Sequence, residues 1–364
     1  MKKVLALVLI LALSLGMFTA CGSKDTSDKT KPLVVGFLYV GPIGDGGFTY
    51  AHDQGRIQME EHFAGKVKTI YQESIPETVQ DVSNAAKNMI DQGASVIFTT
   101  SFGFMDATEA LATEYPDVKF MHFSGYKMNE TNFGNYFGAM EEARYLSGIV
   151  AGMKTTTNKI GYVAAFPYTE LLIGINAFTL GAQSVNPDAT VSVVWTNSWF
   201  DPAKEKEAAT ALLDQGADVI AQHCDTTGPQ IAAQERGAFA IGYNSDSSAA
   251  APKAFMTAPV WNHGVYYIDQ IQKVMDGTWK PESYYGNMAD GYIGLLPLTD
   301  IAPPGAKEKV AEIQAKIIAG EFPIFTGPIY DQAGKEVVAA GKSLTREEIW
   351  KMDYLVKGVQ GSLK

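Results

Sequence analysis

Two α/β lobes, each a doubly wound parallel sheet and joined to the other by several strands, are the fold this sequence predicts. From Leu33 onward, short runs of β-branched and aromatic residues alternate with longer stretches of helical periodicity. That alternation builds a parallel sheet covered by helices. In addition, the heptad Asp91-Gln92-Gly93-Ala94-Ser95-Val96-Ile97 recurs 123 residues later as Asp214-Gln215-Gly216-Ala217-Asp218-Val219-Ile220, at the same place in a second series. Each copy sets a glycine after an amphipathic helix, where a left-handed cap is needed, and then enters a buried strand. The roughly 330 residues that follow the N-terminal leader suit two domains of ordinary size.

The first series opens with Leu33-Val34-Val35-Gly36-Phe37-Leu38-Tyr39-Val40, a strand, followed by a Gly/Pro loop and a helix to about residue 63. A strand at 66–71, a helix at 77–92, a strand at 96–100, a helix at 105–114 and a strand at 120–123 are predicted after it. The second series begins at Ile160-Gly161-Tyr162-Val163-Ala164-Ala165 and continues with a helix around 170–184 and a strand at 191–196. Next comes a helix at 202–215, with Asp201 as N-cap and Pro202 in its first turn. A strand at 219–222, a helix ending near Arg236 and a strand at 239–242 complete it. The expected division is 33–155 with about 260–285 in one lobe, and 156–259 with about 286–364 in the other. Ligands of open α/β sheets bind beyond the carboxyl ends of the strands, so such lobes leave a cleft that closes by hinge motion.

Ahead of the lobes, Lys2 and Lys3, an apolar run from Val4 to Leu13 and small residues before Cys21 form an export signal, too short for an ordinary membrane span. The Cys21-Gly22-Ser23 junction resembles a bacterial lipobox, with Phe18 where Leu, Val or Ile is usual. Residues 1–20 are then removed, Cys21 carries the lipid, and the polar stretch 21–32 is a flexible tether. A plain secretory signal is the alternative, and it too places the protein outside the cytoplasm. The resulting location is the extracytoplasmic face of the cell membrane, in the periplasm if the cell has two membranes.

With 46% hydrophobic and 19% charged residues the chain is globular. Its formal net charge of −11 argues against nucleic acid and offers no basic surface to anionic lipid. Of its two cysteines, Cys224 is left without a partner once Cys21 is lipidated, and it reads as a small buried hydrophobe. No nucleophile elbow, zinc spacing, Walker loop or strict dinucleotide fingerprint is present, and the five histidines show no metal-ligand spacing. Neither a metal nor a cofactor is expected.

Chemistry concentrates in the loops after strands. Asp45, Phe48 and Tyr50 follow the first; Thr100, Ser101, Phe102 and Phe104 follow the third. Trp195-Thr196-Asn197-Ser198-Trp199-Phe200-Asp201, Gln222-His223-Cys224-Asp225 and Gly242-Tyr243-Asn244-Ser245-Asp246 do the same in the second series. Flat aromatic faces beside amide and carboxylate edges suit a planar, hydrogen-bonding ligand such as a nucleobase. Any single aromatic could instead pack a lobe core or the hinge.

The loop Gly41–Asp45 with Gly47-Phe48, the stretch 100–107, the run Phe200-Asp201-Pro202-Ala203-Lys204-Glu205-Lys206-Glu207-Ala208-Ala209 and Gly242-Tyr243-Asn244-Ser245-Asp246 resemble the basic membrane protein (BMP) family. Its members are lipoproteins related to the bacterial purine nucleoside receptor. The resemblance covers the whole mature chain. It implies a type I periplasmic-binding-protein fold and the role of a monomeric substrate-binding subunit of an ABC importer, with a purine as ligand and a permease and ATPase as partners. By position it implies a purine sandwiched between Phe48 (or Tyr50) and Trp199, with Asp45 on the base edge. Ser101, Phe102, Asn197 and Asp225 complete the expected ligand-binding set.

The sequence departs from the family pattern twice: Asn244 replaces the first acid of a ribose-binding loop that includes Asp246, and Trp261 stands where a ribose-binding lysine is expected. Loss of a cation and gain of an indole disfavours the sugar, so a free nucleobase is expected, adenine first. A purine nucleoside is the alternative ligand. An exported nucleoside or amide hydrolase acting through Asp45 or Asp246 is the alternative function.

Overall fold

The computed structural model describes residues 31–363, so the expected signal, Cys21 and most of the tether lie outside the described residues. Six parallel strands form a first sheet in the order Ser283–Gly286, Phe133–Gly138, Lys119–Phe123, Val96–Thr99, Leu33–Leu38, Val67–Gln72. Six more form a second in the order Phe255–Thr257, Phe239–Ile241, Val219–His223, Lys159–Ala164, Thr190–Trp195, Val359–Gln360. Each sheet is wound outward in both directions from a central strand. Switch points therefore fall between Leu33–Leu38 and Val96–Thr99, and between Lys159–Ala164 and Val219–His223, where diverging loops open a ligand crevice.

The repeated heptad folds the same way twice. Gly93 and Gly216 take φ of 95° and 94°, and their amides donate to the carbonyls of Ile90 and Leu213 at 2.8 and 2.9 Å. The next amides, of Ala94 and Ala217, reach back to Met89 and Leu212 at 3.0 and 3.2 Å. A side chain at such a φ is strained, which is why glycine recurs at the joint.

The described chain passes between the sheets three times: after Gly138 and before Lys159, after Thr257 and before Ser283, and after Gly286. The last two are tied by an antiparallel ribbon in which Pro259 pairs with Leu295 and Trp261 with Ile293. The helix Met140–Lys154 lies along Thr169–Val185, with Gly148, Gly152 and Gly181 letting the two backbones touch. From Leu33 the chain packs as one unit. A continuous core runs from Phe37, Phe98 and Tyr136 through Tyr266 and Tyr267 to Tyr162 and Phe178. Among the described residues no helix is long and apolar enough to cross a membrane.

Candidate functional site

A narrow, largely enclosed cavity sits between the carboxyl ends of the two sheets. Val40 follows the first strand, Ser101 and Phe102 the third, and Ser124 the fourth, so the first sheet's switch point opens directly into it. The second sheet answers with Trp199, His223, Asp225 and Tyr243, at or just beyond strand ends, and with Glu170 on the helix that follows its first strand, while Trp261 enters on a crossing.

Two aromatic walls come from opposite sides. Phe48 starts the helix Phe48–Phe63 and is braced edge-on by His52 at 4.6 Å and Phe123 at 5.5 Å. Trp199 is braced by Phe166 at 5.2 Å and Tyr168 at 6.1 Å, and its carbonyl accepts the Asp225 amide at 3.1 Å. Both rings are half-buried and line the cavity. Trp261 is held more tightly. Its indole lies 8° from parallel with His263 at 5.5 Å and is met edge-on by Phe123 at 5.2 Å and Phe137 at 5.3 Å. His263 stacks in turn on His52 at 3.7 Å.

The polar groups are few and buried. Asp225 accepts from Asn244 Nδ2 at 3.3 Å. Burial pushes its carboxyl well up, and the nearby charges of Asp45, Glu205 and Glu170 add to the rise. Glu170 stands in the first turn of Thr169–Val185 and accepts from the Ser124 hydroxyl at 3.4 Å. Burial raises it to about 7. Burial, and then the charge of Arg144, push the His223 imidazole down, so it stays neutral. Arg144 itself is fully buried, donates to the Gln222 carbonyl at 2.7 Å and lies 3.7 Å from the Tyr243 ring centre. Among the described residues, His223 Nδ1, Asn244 Oδ1 and Trp261 Nε1 have no hydrogen-bond partner. Buried polar atoms left this way are costly unless a ligand meets them. Among the described residues no lysine or arginine lines the cavity.

Of the residues expected from sequence, Phe48, Ser101, Phe102, Trp199, Asp225 and Trp261 come together here. Asn244 stands behind Asp225 instead of lining the cavity. Asp45 also lies outside it. Its carboxylate accepts the backbone amides of Gly47, Thr49 and Tyr50 at 2.8 to 2.9 Å, anchoring the start of the Phe48 helix. Tyr50 and Asp246 sit on a separate groove along one flank, both exposed, and Asp246 accepts the Ser248 amide. Asn197 is exposed at a left-handed turn, φ 54°, whose amide bonds to Ala165. The two acids that a hydrolase reading rests on are thus one spent on backbone amides and one turned to solvent. Cys224 is fully buried.

Phe123, Ser124, Phe137, Glu170, His223 and Tyr243 were not among the expected site residues. Glu170 had a signal in the sequence, since it follows the strand that opens the second series. Phe137 had none, because its strand, Phe133–Gly138, carries two glycines and no β-branched residue.

The two halves touch across the cleft. Ser245 Oγ donates to the Gly46 carbonyl, and the Gly47 backbone lies directly against the Asp225 carbonyl. Among the described residues no group of three His, Cys, Asp or Glu side chains could hold a metal ion.

Comparison with known proteins places this geometry among relatives. A family model described as ABC transporter substrate-binding protein PnrA-like matches residues 33–325. A purine-binding protein of Brucella abortus is 42% identical over 346 residues, 95% of this chain and 97% of the relative. A Haloferax volcanii protein, described as a candidate glucose-binding protein of an ABC transporter, is 34% identical over 95% of this chain and 86% of its own. A nucleoside-binding protein of Lactococcus lactis is 27% identical over 61% of this chain and 64% of its own. Among solved structures, a solute-binding protein of an Aeropyrum pernix ABC transporter superposes with a TM-score of 0.69 at 21% identity, covering 82% of this chain and 93% of that one. A Conexibacter woesei counterpart gives 0.67 at 20% identity, over 80% and 97%. At these identities the structures speak for the fold alone, that of type I periplasmic binding proteins.

Proposed function

Because the chain belongs to the PnrA-like family of ABC transporter substrate-binding proteins, extracytoplasmic and non-enzymatic, we propose that its cleft captures a purine, most favourably a free nucleobase such as adenine. The observation that carries this reading is a cavity walled by Phe48 and Trp199 and edged by the carboxyl groups of Glu170 and Asp225, without a lining cation. Stacking holds the flat ring and the buried acids meet its N–H groups. Each base stacked on an aromatic contributes roughly 1–3 kcal/mol, so a two-sided sandwich with a few edge hydrogen bonds reaches micromolar affinity or tighter.

Preference for the base over a nucleoside rests on Trp261. It is 7% exposed and fixed on three sides, so it cannot step aside for a ribose, and it offers a single donor where a sugar needs several. The Asn244 amide nitrogen is spent on Asp225. The lobes turn about the three crossings. The helix Met140–Lys154 travels with the second sheet, because it packs on Thr169–Val185 and Ala306–Ile318, so the crossing lies near Gly138–Met140, ahead of residue 155. Lipidation at Cys21 tethers the receptor, and the closed form docks on the permease and its ATPase.

Tryptophan fluorescence tests the ligand class, since Trp199 and Trp261 line the cavity. Titration with adenine, guanine and hypoxanthine is expected to saturate in the micromolar range, with no response to glucose. Saturation by glucose and none by any purine overturns the reading. Trp199→Ala is expected to weaken adenine binding about 30-fold, or about 2 kcal/mol, with an unchanged circular dichroism spectrum. An unchanged affinity would remove Trp199 from the sandwich.

A further inference from the structure

Glu170 differs from every other acid at the cleft in that one carboxyl group, partly exposed, faces the cavity beside both aromatic walls without a protein cation to hold it ionised. Its one hydrogen-bond partner among the described residues is the Ser124 hydroxyl, reaching across from the first sheet's side. Asp225 already takes a hydrogen bond from Asn244, Asp45 is filled by three amides, and Glu77 takes the Ser101 hydroxyl and the Gly103 amide. Glu170 therefore has free hydrogen-bonding capacity that a ligand can use.

A carboxyl group offers two different patterns. Ionised, it is two acceptors side by side; neutral, it is one donor beside one acceptor. Guanine presents two adjacent donors, its ring N1–H and exocyclic amine, which match the ionised form. Adenine presents an exocyclic amine beside a ring nitrogen acceptor, which matches the neutral form. Resting on the purine reading above, we propose that Glu170 reads the hydrogen-bonding edge of the bound base and that its protonation state sets the choice between adenine and guanine.

Burial raises Glu170 to about 7, with the charge of Glu77 adding to the rise, so both forms are populated near neutrality. The groups around it are accounted for. On the second sheet's side, His223 stays neutral because burial lowers it, while Asp225 is itself pushed up. Toward the inner end, Glu141 is raised to about 7 by burial and shares a small adjoining cavity with Glu170, but stands away from the aromatic walls and accepts from the Tyr285 hydroxyl at 3.3 Å. At the outer end, Arg346, Glu347 and Lys351 share a neighbouring groove with Glu170, and Lys351 is paired with Glu347 at 2.5 Å. Tyr243 and Tyr285 are raised by burial and remain neutral.

Calorimetric titration of the protein with adenine and with guanine from pH 6 to 8.5 tests the proposal. Adenine affinity is expected to fall about 30-fold across that range and guanine affinity to rise about 10-fold, as the competent form of a group titrating near 7 is lost or gained. Glu170→Gln fixes the donor–acceptor pattern: adenine binding becomes independent of pH, and guanine weakens at least about 10-fold at pH 8. Glu141→Gln keeps the wild-type slopes. Flat profiles in the wild type, or slopes that survive in Glu170→Gln and so belong to Asp225, overturn the proposal while leaving purine binding intact. Absence of binding by any purine at every pH overturns the functional reading beneath it as well.

Discussion

Gly47→Ala is expected to weaken purine binding by about 30-fold or more while the ligand-free protein keeps its fold. A Cβ at this position would lie 2.0 Å from the Asp225 carbonyl oxygen and 2.7 Å from its carbon. The obstructing atoms are backbone at the end of strand Val219–His223, so no side-chain rotation relieves the contact. Opening the cleft does. The substitution therefore acts against the closed arrangement, in which Ser245 also bonds to the Gly46 carbonyl. Overpacking of this kind costs about 1–3 kcal/mol, and 2 kcal/mol against the closed state alone is roughly 30-fold in affinity. Calorimetry gives the affinity, and small-angle scattering with saturating adenine gives the closure. Wild-type affinity in Gly47→Ala would mean that the contact between Gly47 and Asp225 is not part of the bound state.

Gly148→Ala strikes the fold itself. The helices Met140–Lys154 and Thr169–Val185 approach so closely that a Cβ on Gly148 would sit 2.0 Å from the Phe178 carbonyl oxygen. The contact is reciprocal, because a Cβ on Gly181 would sit 2.0 Å from the Tyr145 carbonyl oxygen, and one on Gly152 would sit 2.4 Å from that of Ala182. Every obstructing atom is backbone, and both helices are buried on most of their surface. Separating them loosens the core around Leu146, Ile149 and Phe178. A loss of about 3 kcal/mol, the upper end for overpacking, follows, lowering the thermal midpoint by roughly 5 °C. Gly44→Ala meets nothing within 4 Å and serves as the control, with a midpoint within about 1 °C of wild type. Equal midpoints for all three proteins would show that the helices have room to spare.

The repeat Asp-Gln-Gly-Ala-x-Val-Ile made the doubled fold readable, because a left-handed glycine between a helix and a buried strand leaves few other interpretations. The strands of both series fall within two residues of the sequence reading for the same reason: β-branched runs end at glycine or proline. Where burial is uniform, periodicity fails. The helix Met140–Lys154 buries twelve of its fifteen residues and so has no polar stripe to mark it. Strand Phe133–Gly138 and the short crossing strands Pro259–Trp261 and Ile293–Leu295 are defined by their partners instead of their composition.

The site divides along the same line. Phe48, Trp199 and Asp225 were readable as strand-end residues, and the structure gathers them into one cavity. Asp45 was readable as an acid in a glycine-rich loop but not as an acid already satisfied by three amides, since that depends on how the loop folds back on its helix. Phe137 joins the cavity through the closing of one sheet on the other, which no local pattern encodes, whereas Glu170 carried the same strand-end signal as Asp225.

The central claim, a receptor for a free purine base, is tested most directly by calorimetric titration of the lipid-free mature chain, unfolded and refolded to strip any retained ligand, with adenine and adenosine in parallel. Saturable adenine binding, with adenosine at least about 100-fold weaker as the proposed exclusion of ribose by Trp261 requires, is the predicted result. Adenosine binding as tightly as adenine would contradict it.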